Sequence, residues 1–377
     1  MQEQFDLEPG IHFLNCAYMS PLPKAVREAG YTSIDRKARP YRVSVEDFFD
    51  PVADARTLFA RLINTGDPDR IAIIPSVSYG MANVAANVKL GRGDKVLILE
   101  DQFPSNVYPW MELLHAPGDL ITIPKPEGGN ISEAWTDRVI DAIDHGTRIV
   151  ALPHVHWACG TRIDLVPIGA RCREVGALFI IDGTQSIGAM DFDQEKVQAD
   201  VVVSAGYKWL MGPYGIGAAY YGPWFDDKRP VEHNWINRVN SEDFKGLVNY
   251  QPVLRPKGLK FAMGEQSNFI LIAMFRKALE LVLGWGTHRI QAHCREISGP
   301  AISGLREAGF PVPAPGQTGN HLFGIGLSRG MDPERLKKAM AAHNLFVSFR
   351  GNQVRVSPHL YNTPDDFEVL KEVLLNC

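Results

Sequence analysis

Three short stretches of this chain set reactive side chains among neighbours that would change their chemistry. The first runs Ala205, Gly206, Tyr207, Lys208, Trp209, Leu210, Met211, Gly212, Pro213. A lysine among apolar, aromatic and glycine neighbours loses hydration, which lowers its pKa and frees the amine to attack carbonyl carbon. The glycines let backbone approach a ligand closely. The second is the apolar run Leu178–Asp182, closed by an acid. A carboxylate there is costly to bury unless a cation pairs with it; otherwise Asp182 caps the next helix. The third is Pro75, Ser76, Val77, Ser78, Tyr79, Gly80, between the apolar run Ile71–Ile74 and a stretch of helical period. Small hydroxyl residues at a helix start are good caps, and with the free N–H groups they also suit a phosphate.

The elements that must position these groups alternate along the chain. Short apolar runs lie at Ile71–Ile74, Lys95–Leu99, Leu120–Ile123, 148–152, Leu178–Asp182 and 200–204, with helical-period segments such as 81–88, 133–143 and 168–175 between them. Near-continuous Val/Ile/Leu runs are those of strands buried on both faces, and the alternation predicts a parallel sheet between helices. Open α/β sheets bind ligands at the carboxyl ends of their strands, where all three stretches fall. The expected organisation is a large α/β domain over residues 20–255 and a smaller α+β domain from residues 1–19 and 256–377. The smaller one is expected to hold helices at 268–284, 288–308, 333–343 and 364–374, with strands at 321–327, 346–349 and 353–357. Residues 222–267 show little periodicity, and loops this long are usually lids or binding loops.

Composition narrows the function classes. The 377 residues carry a net charge of −4, with 45% hydrophobic and 22% charged. These are globular values, against disordered, collagen-like or coiled-coil readings. No basic field exists for a nucleic-acid backbone. No apolar run approaches the ~20 residues that span a bilayer. The opening MQEQFDLEPG is polar and acidic, unlike a leader. Five scattered cysteines without CxxC give no disulfide framework. Together these predict a cytoplasmic protein that engages neither nucleic acid nor membrane. GxGxxG and GxxxxGK[ST] are missing after the strands, which weakens nicotinamide and P-loop readings. His154 and His156 alternate on one face with no third ligand at readable spacing, so no metal site is expected.

A phosphate cradle, a strand-end acid and a desolvated lysine are what pyridoxal 5'-phosphate (PLP) requires. The lysine forms a Schiff base, and the acid keeps the pyridine nitrogen protonated so the ring can take up electrons. The chain also resembles the class V aminotransferase family of PLP enzymes, fold type I, which includes cysteine desulfurases, kynureninases and isopenicillin-N-epimerase-like proteins. The resemblance runs from His12 to Asp366. It is carried by DGTQSIGAMD (182–191), ADVVVSAGYKWLMGPYGIG (199–217) and RVSPHLYNT (355–363).

It implies Lys208 as the Schiff-base lysine, Asp182 on the pyridine nitrogen and Gln185 on the phenolic oxygen. Val77 and Ser78, with Ser76 beside them, take the place of the phosphate-binding pair. Tyr207 falls where the family reaches the phosphate, and Phe103 where a residue stacks on the ring. Arg355 matches the arginine that binds the substrate carboxylate. Trp157 stands where many members have Asn, and Asn15 lies in the N-terminal segment that lines the substrate site. The implied substrate is a small amino acid and the implied assembly a homodimer with the site at its interface. Transamination is the expected reaction; lyase, kynureninase-like hydrolase and epimerase chemistry share the same set of residues, and a non-catalytic carrier on the same fold is a minor alternative. Three departures matter. The stretch 346–354 lacks the cysteine that desulfurases use, Ala205 replaces their serine, and Gly264–Glu265 replaces the Gly–Thr that reaches the partner's phosphate. Cys159 is expected to pack or line the pocket.

Overall fold

The computed structural model describes residues 1–328 and 330–377. Its strands are β1 (His12–Phe13), β2 (Ile71–Ile74), β3 (Lys95–Leu99), β4 (Leu120–Ile123), β5 (Thr147–Pro153), β6 (Leu178–Asp182), β7 (Val201–Ala205), β8 (Gly217–Tyr221), β9 (Phe323–Gly326), β10 (Leu345–Phe346), β11 (Ser348–Arg350) and β12 (Gln353–Val356). Its helices are α1 (Lys24–Lys37), α2 (Asp50–Leu62), α3 (Val77–Ala85), α4 (Tyr108–Met111), α5 (Ile131–Ala142), α6 (Leu165–Val175), α7 (Gln194–Val197), α8 (Phe269–Trp285), α9 (Thr287–Glu307), α10 (Pro333–Ala342) and α11 (Pro364–Leu375).

Seven strands form the central sheet in the order β2-β8-β7-β6-β5-β3-β4. All neighbours are parallel except β8, which runs against both β2 and β7. This is the mostly parallel α/β sheet expected for fold type I. Alternate residues of its strands enter opposite cores: Leu97, Leu99, Phe179 and Ile181 pack on one face, and Val96, Ile98 and Ile180 on the other. The apolar runs are continuous because both faces are covered; each large side chain buried this way stabilises the fold by about 1.5–3 kcal/mol.

The sequence did not disclose β8, whose residues Gly217, Ala218, Ala219, Tyr220 and Tyr221 lack the branched signature of their neighbours. The structure shows why small residues stand there. A Cβ on Gly217 would lie 2.4 Å from the Ser204 carbonyl oxygen. Helix α2 was also unanticipated.

A second sheet, β11-β12-β9, is antiparallel. It packs with Ile297 and Leu305 of α9, Leu336 and Met340 of α10, and Phe367 and Leu370 of α11. The single strand expected at 346–349 is two: β10 pairs in parallel with β1, while β11 pairs with β12. Helix α8 divides its faces. Ile272, Phe275 and Leu279 enter a core of the large sheet, and Met274 packs against Gly30 of α1. Among the described residues no helix is long and apolar enough to cross a membrane.

Candidate active site

The carboxyl ends of β6 and β7 and the start of α3 converge on one cavity of about 210 Å³. After β7 the chain turns sharply. Gly206 N–H donates to Ile216 O at 2.9 Å, and Gly212 N–H to Gly206 O at 2.8 Å. A Cβ on Gly206 would meet Ile216 O at 2.5 Å, so this turn requires glycine. It delivers Tyr207 and Lys208 to the cavity wall. At the end of β6, Thr184 N–H donates to Asp182 Oδ1 at 3.0 Å, while Thr184 Oγ1 accepts Ala205 N–H at 3.2 Å. One threonine thus fixes the acid and ties the two strand ends together. Ser76 caps α3 by accepting Tyr79 N–H at 3.2 Å, and its hydroxyl lies 2.9 Å from Ser78 Oγ.

Nine of the residues singled out from sequence line this cavity: Ser76, Val77, Ser78, Phe103, Trp157, Asp182, Gln185, Tyr207 and Lys208. Arg355 and Asn15 do not. They lie behind Trp157 in a buried chain of hydrogen bonds. Arg355 Nη1 donates to Trp157 O at 2.9 Å and Nη2 to Ser348 Oγ at 3.3 Å, and Ser348 Oγ donates to Asn15 Oδ1 at 2.8 Å. Trp157 is held in turn by Nε1–H donation to Asp101 O at 2.6 Å, its ring edge-on to Phe103 at 5.5 Å. Thr184, Tyr214, Gln102 and Ser105 also line the cavity. Sequence reasoning passed over them, although a hydroxyl two residues after a strand-end acid was a usable signal for Thr184.

Burial governs the electrostatics. Lys208 is 7% exposed. Desolvation pushes its ammonium down to about 8; Asp182 opposes this, while Arg355 and Arg350 add to it. Burial pushes the Asp182 carboxyl up, against the hydrogen bonds from Thr184 and the field of Lys208. A cation beside Asp182 would restore its charge. Gln185 has a fixed orientation. Trp209 Nε1–H donates to its Oε1 at 2.9 Å, and an indole can only donate, so Nε2 is the end left to donate elsewhere. One of its hydrogens goes to Ala17 O at 3.2 Å. His321 Nε2 donates to the Gln185 carbonyl at 2.8 Å.

Cys159 is outside this cavity. Its Sγ lies 3.4 Å from His156 Nδ1 and 3.1 Å from Thr161 Oγ1. Burial raises the thiol pKa, but His156, Lys125 and Thr161 outweigh it and leave it at about 7. His154 is half-buried by accessible surface, and desolvation is the chief cause that pushes it down to about 3. Glu265 is exposed.

This cavity can hold a phosphorylated pyridine aldehyde. Its phosphate would meet the hydroxyls and N–H groups at the start of α3, its ring nitrogen Asp182, its phenolic oxygen Gln185 Nε2 and its carbonyl carbon Lys208. The donor set fits: a buried amine with no carboxylate within 4.0 Å among the described residues, and a buried acid needing a cation.

The chain belongs to the family described as aminotransferase class-V, whose model matches residues 27–370. It is thus one of a family of PLP-dependent enzymes. It is 27% identical over 351 residues to a probable cysteine desulfurase of Methanothermobacter thermautotrophicus, covering 85% of this chain and 82% of that one. It is 25% identical over 397 residues to the isopenicillin N epimerase of Amycolatopsis lactamdurans, covering 99% and 96%. Among solved structures it resembles a C-DES mutant with glycine covalently linked to its PLP cofactor, at TM-score 0.86 and 18% identity over 99% of this chain and 98% of that one. It also resembles the apo cysteine desulfurase of Thermococcus onnurineus NA1, at TM-score 0.80 and 21% identity over 100% and 98%.

Proposed function

We propose that this enzyme removes the α-proton of a small amino acid with Lys208 as the base, and that the outcome is transamination. Bound PLP supplies an electron sink that makes the α-proton acidic. The protein does the rest. Asp182 would hold a positive charge on the ring nitrogen, Gln185 would donate to the phenolic oxygen, and Phe103 and Trp157 line the cavity beside them. Arg355, buried behind Trp157 and outside the cavity wall, lends its positive charge across that residue to the substrate carboxylate.

The carrying observation is that, with Asp182 committed to the ring nitrogen, the cavity lining offers one base, Lys208. Lys208 sits near 8, whereas burial pushes Tyr207 further up, and neither cysteine nor histidine lines the wall. One base moving a proton between two carbons on one face suits transamination. Epimerisation needs a second acid on the opposite face. A desulfurase-type thiol relay needs a cysteine where this chain has Phe346 to Val354.

The second reading is a PLP-dependent lyase that releases its leaving group to solvent. One base also serves elimination, and relatives named as probable cysteine desulfurases favour it. Purified protein with PLP decides between them. Absorbance at the violet end of the visible, missing from Lys208→Ala, is expected. Stoichiometric loss of that band with an amino donor, leaving oxo acid, supports transamination. Sustained oxo-acid release with the band retained supports the lyase. A protein that takes up no PLP overturns both.

We further propose a cytoplasmic homodimer, with residues 20–255 and the remainder as its two domains. Support for the dimer comes from Val248 and Tyr250, 75% and 91% exposed in the 222–267 loop. All five cysteines are free, which supports a reducing compartment.

A further inference from the structure

We propose that the substrate carries a second anionic group on its side chain, and that Arg350 is the residue that reads it. This deepens the reading above and rests on it. Two guanidiniums converge on Trp157. Arg355 donates to its carbonyl oxygen at 2.9 Å, and the Arg350 guanidinium lies over its ring, 5.1 Å from the centroid. They come from the two strands of one hairpin, where Arg350 pairs with Gln353 and Arg355 with Ser348.

Neither has a counter-ion. Among the described residues, no carboxylate lies within 4.0 Å of either guanidinium. The Nε atoms of both are buried without a hydrogen-bond partner. Arg350 Nη1 donates only to its neighbour's carbonyl, Phe349 O, at 2.7 Å. The acids that line the adjoining cavity with Lys125 and Arg350 are Glu100 and Asp101. Glu100 is occupied by Lys125 N–H at 2.8 Å. The two cavities meet at Trp157 and Gln102, which line both.

Arg355 is buried and Arg350 half-buried, and two like charges left without a counter-ion in such a setting are unfavourable. The cofactor phosphate does not answer this need, because it has its own cradle at Ser76 and Ser78. The α-carboxylate of an amino acid neutralises Arg355 and leaves Arg350. A second acid on the side chain completes the balance, and the planar fork of Arg350 suits a carboxylate or a sulfinate.

The test is ligand binding to PLP-loaded protein, followed by the change in visible absorbance. L-aspartate, L-glutamate and L-cysteine sulfinate are compared with L-asparagine, L-glutamine and L-alanine. Wild type is expected to bind at least one anionic ligand about tenfold or more tighter than its neutral counterpart. Preference for sulfinate over both dicarboxylates would identify the acid group. Arg350→Gln is expected to weaken anionic ligands much more than neutral ones and so remove the preference, and Arg350→Lys to keep part of it. Arg355→Gln is expected to weaken both classes. Equal affinity for anionic and neutral ligands in wild type, or equal weakening of both by Arg350→Gln, overturns the inference. Absence of the visible band overturns the functional reading instead, so the two failures are distinct.

Discussion

Replacing Lys208 by methionine should make the cofactor-free protein more stable, and only below a defined pH. The buried ammonium titrates at about 8 against 10.5 for a free lysine. That difference corresponds to about 3 kcal/mol of unfavourable burial of the charged form. The lysine is 7% exposed, so solvent screening removes little of it. The folded pKa lies below the unfolded one, so the folded state binds fewer protons between the two values. The destabilisation is therefore complete below about 8, shrinks as pH rises, and is gone above about 10.5. Methionine fills similar volume without charge, so any gain in packing adds a pH-independent offset. Thermal or urea unfolding of wild type and Lys208→Met, stripped of cofactor, is compared from pH 6.5 to 10.5. The gap should start at about 3 kcal/mol and close with rising pH. A gap that does not change with pH would refute the assignment of Lys208 as a desolvated amine. Asp182→Asn provides a cross-check: it removes the carboxylate that raises the Lys208 pKa, so in that background the low-pH gap should be larger and begin to close at lower pH, while still vanishing at about 10.5.

Three further outcomes are expected. Asp182→Asn should lower turnover of the PLP-loaded enzyme by roughly 100-fold or more while leaving its fold intact, because the ring nitrogen loses its counter-charge; circular dichroism and initial rates check this. Gly160→Ala should cost roughly 3 kcal/mol or more, because its φ is +77° and a Cβ would lie 2.3 Å from Leu322 O; unfolding midpoints measure it. Alkylation of Cys159 by iodoacetamide, located by peptide mapping, should rise through an inflection near 7, which His156→Gln should move upward; an unmoved inflection would show that His156 does not hold the thiol down.

Much of the site was legible because its determinants are local. Asp182 closes an apolar run, Ser76 and Ser78 open a helix, and Lys208 follows a glycine turn. Each of these can be read within a handful of residues, and strand ends in such a sheet face the ligand. The cavity gathers all of them. What stayed hidden depends on residues far apart in the chain. Nothing near Gln185 says that Trp209, 24 residues on, turns its amide. Nothing near Arg355 says that it reaches the Trp157 carbonyl, 198 residues away, rather than the cavity itself.

The sequence by itself determined the order of the elements, the α/β class, the cofactor chemistry and most of the residues that line the cavity. Side-chain period and turn glycines act over a few residues, and motif spacing is written in the chain. Only the tertiary structure decided that β8 runs antiparallel between β2 and β7, that the strand expected at 346–349 divides between two sheets, and that two unpaired guanidiniums meet at Trp157. Strand pairing and charge balance are properties of groups brought together from distant segments. Local pattern carries no record of which acid, if any, will arrive beside Arg350.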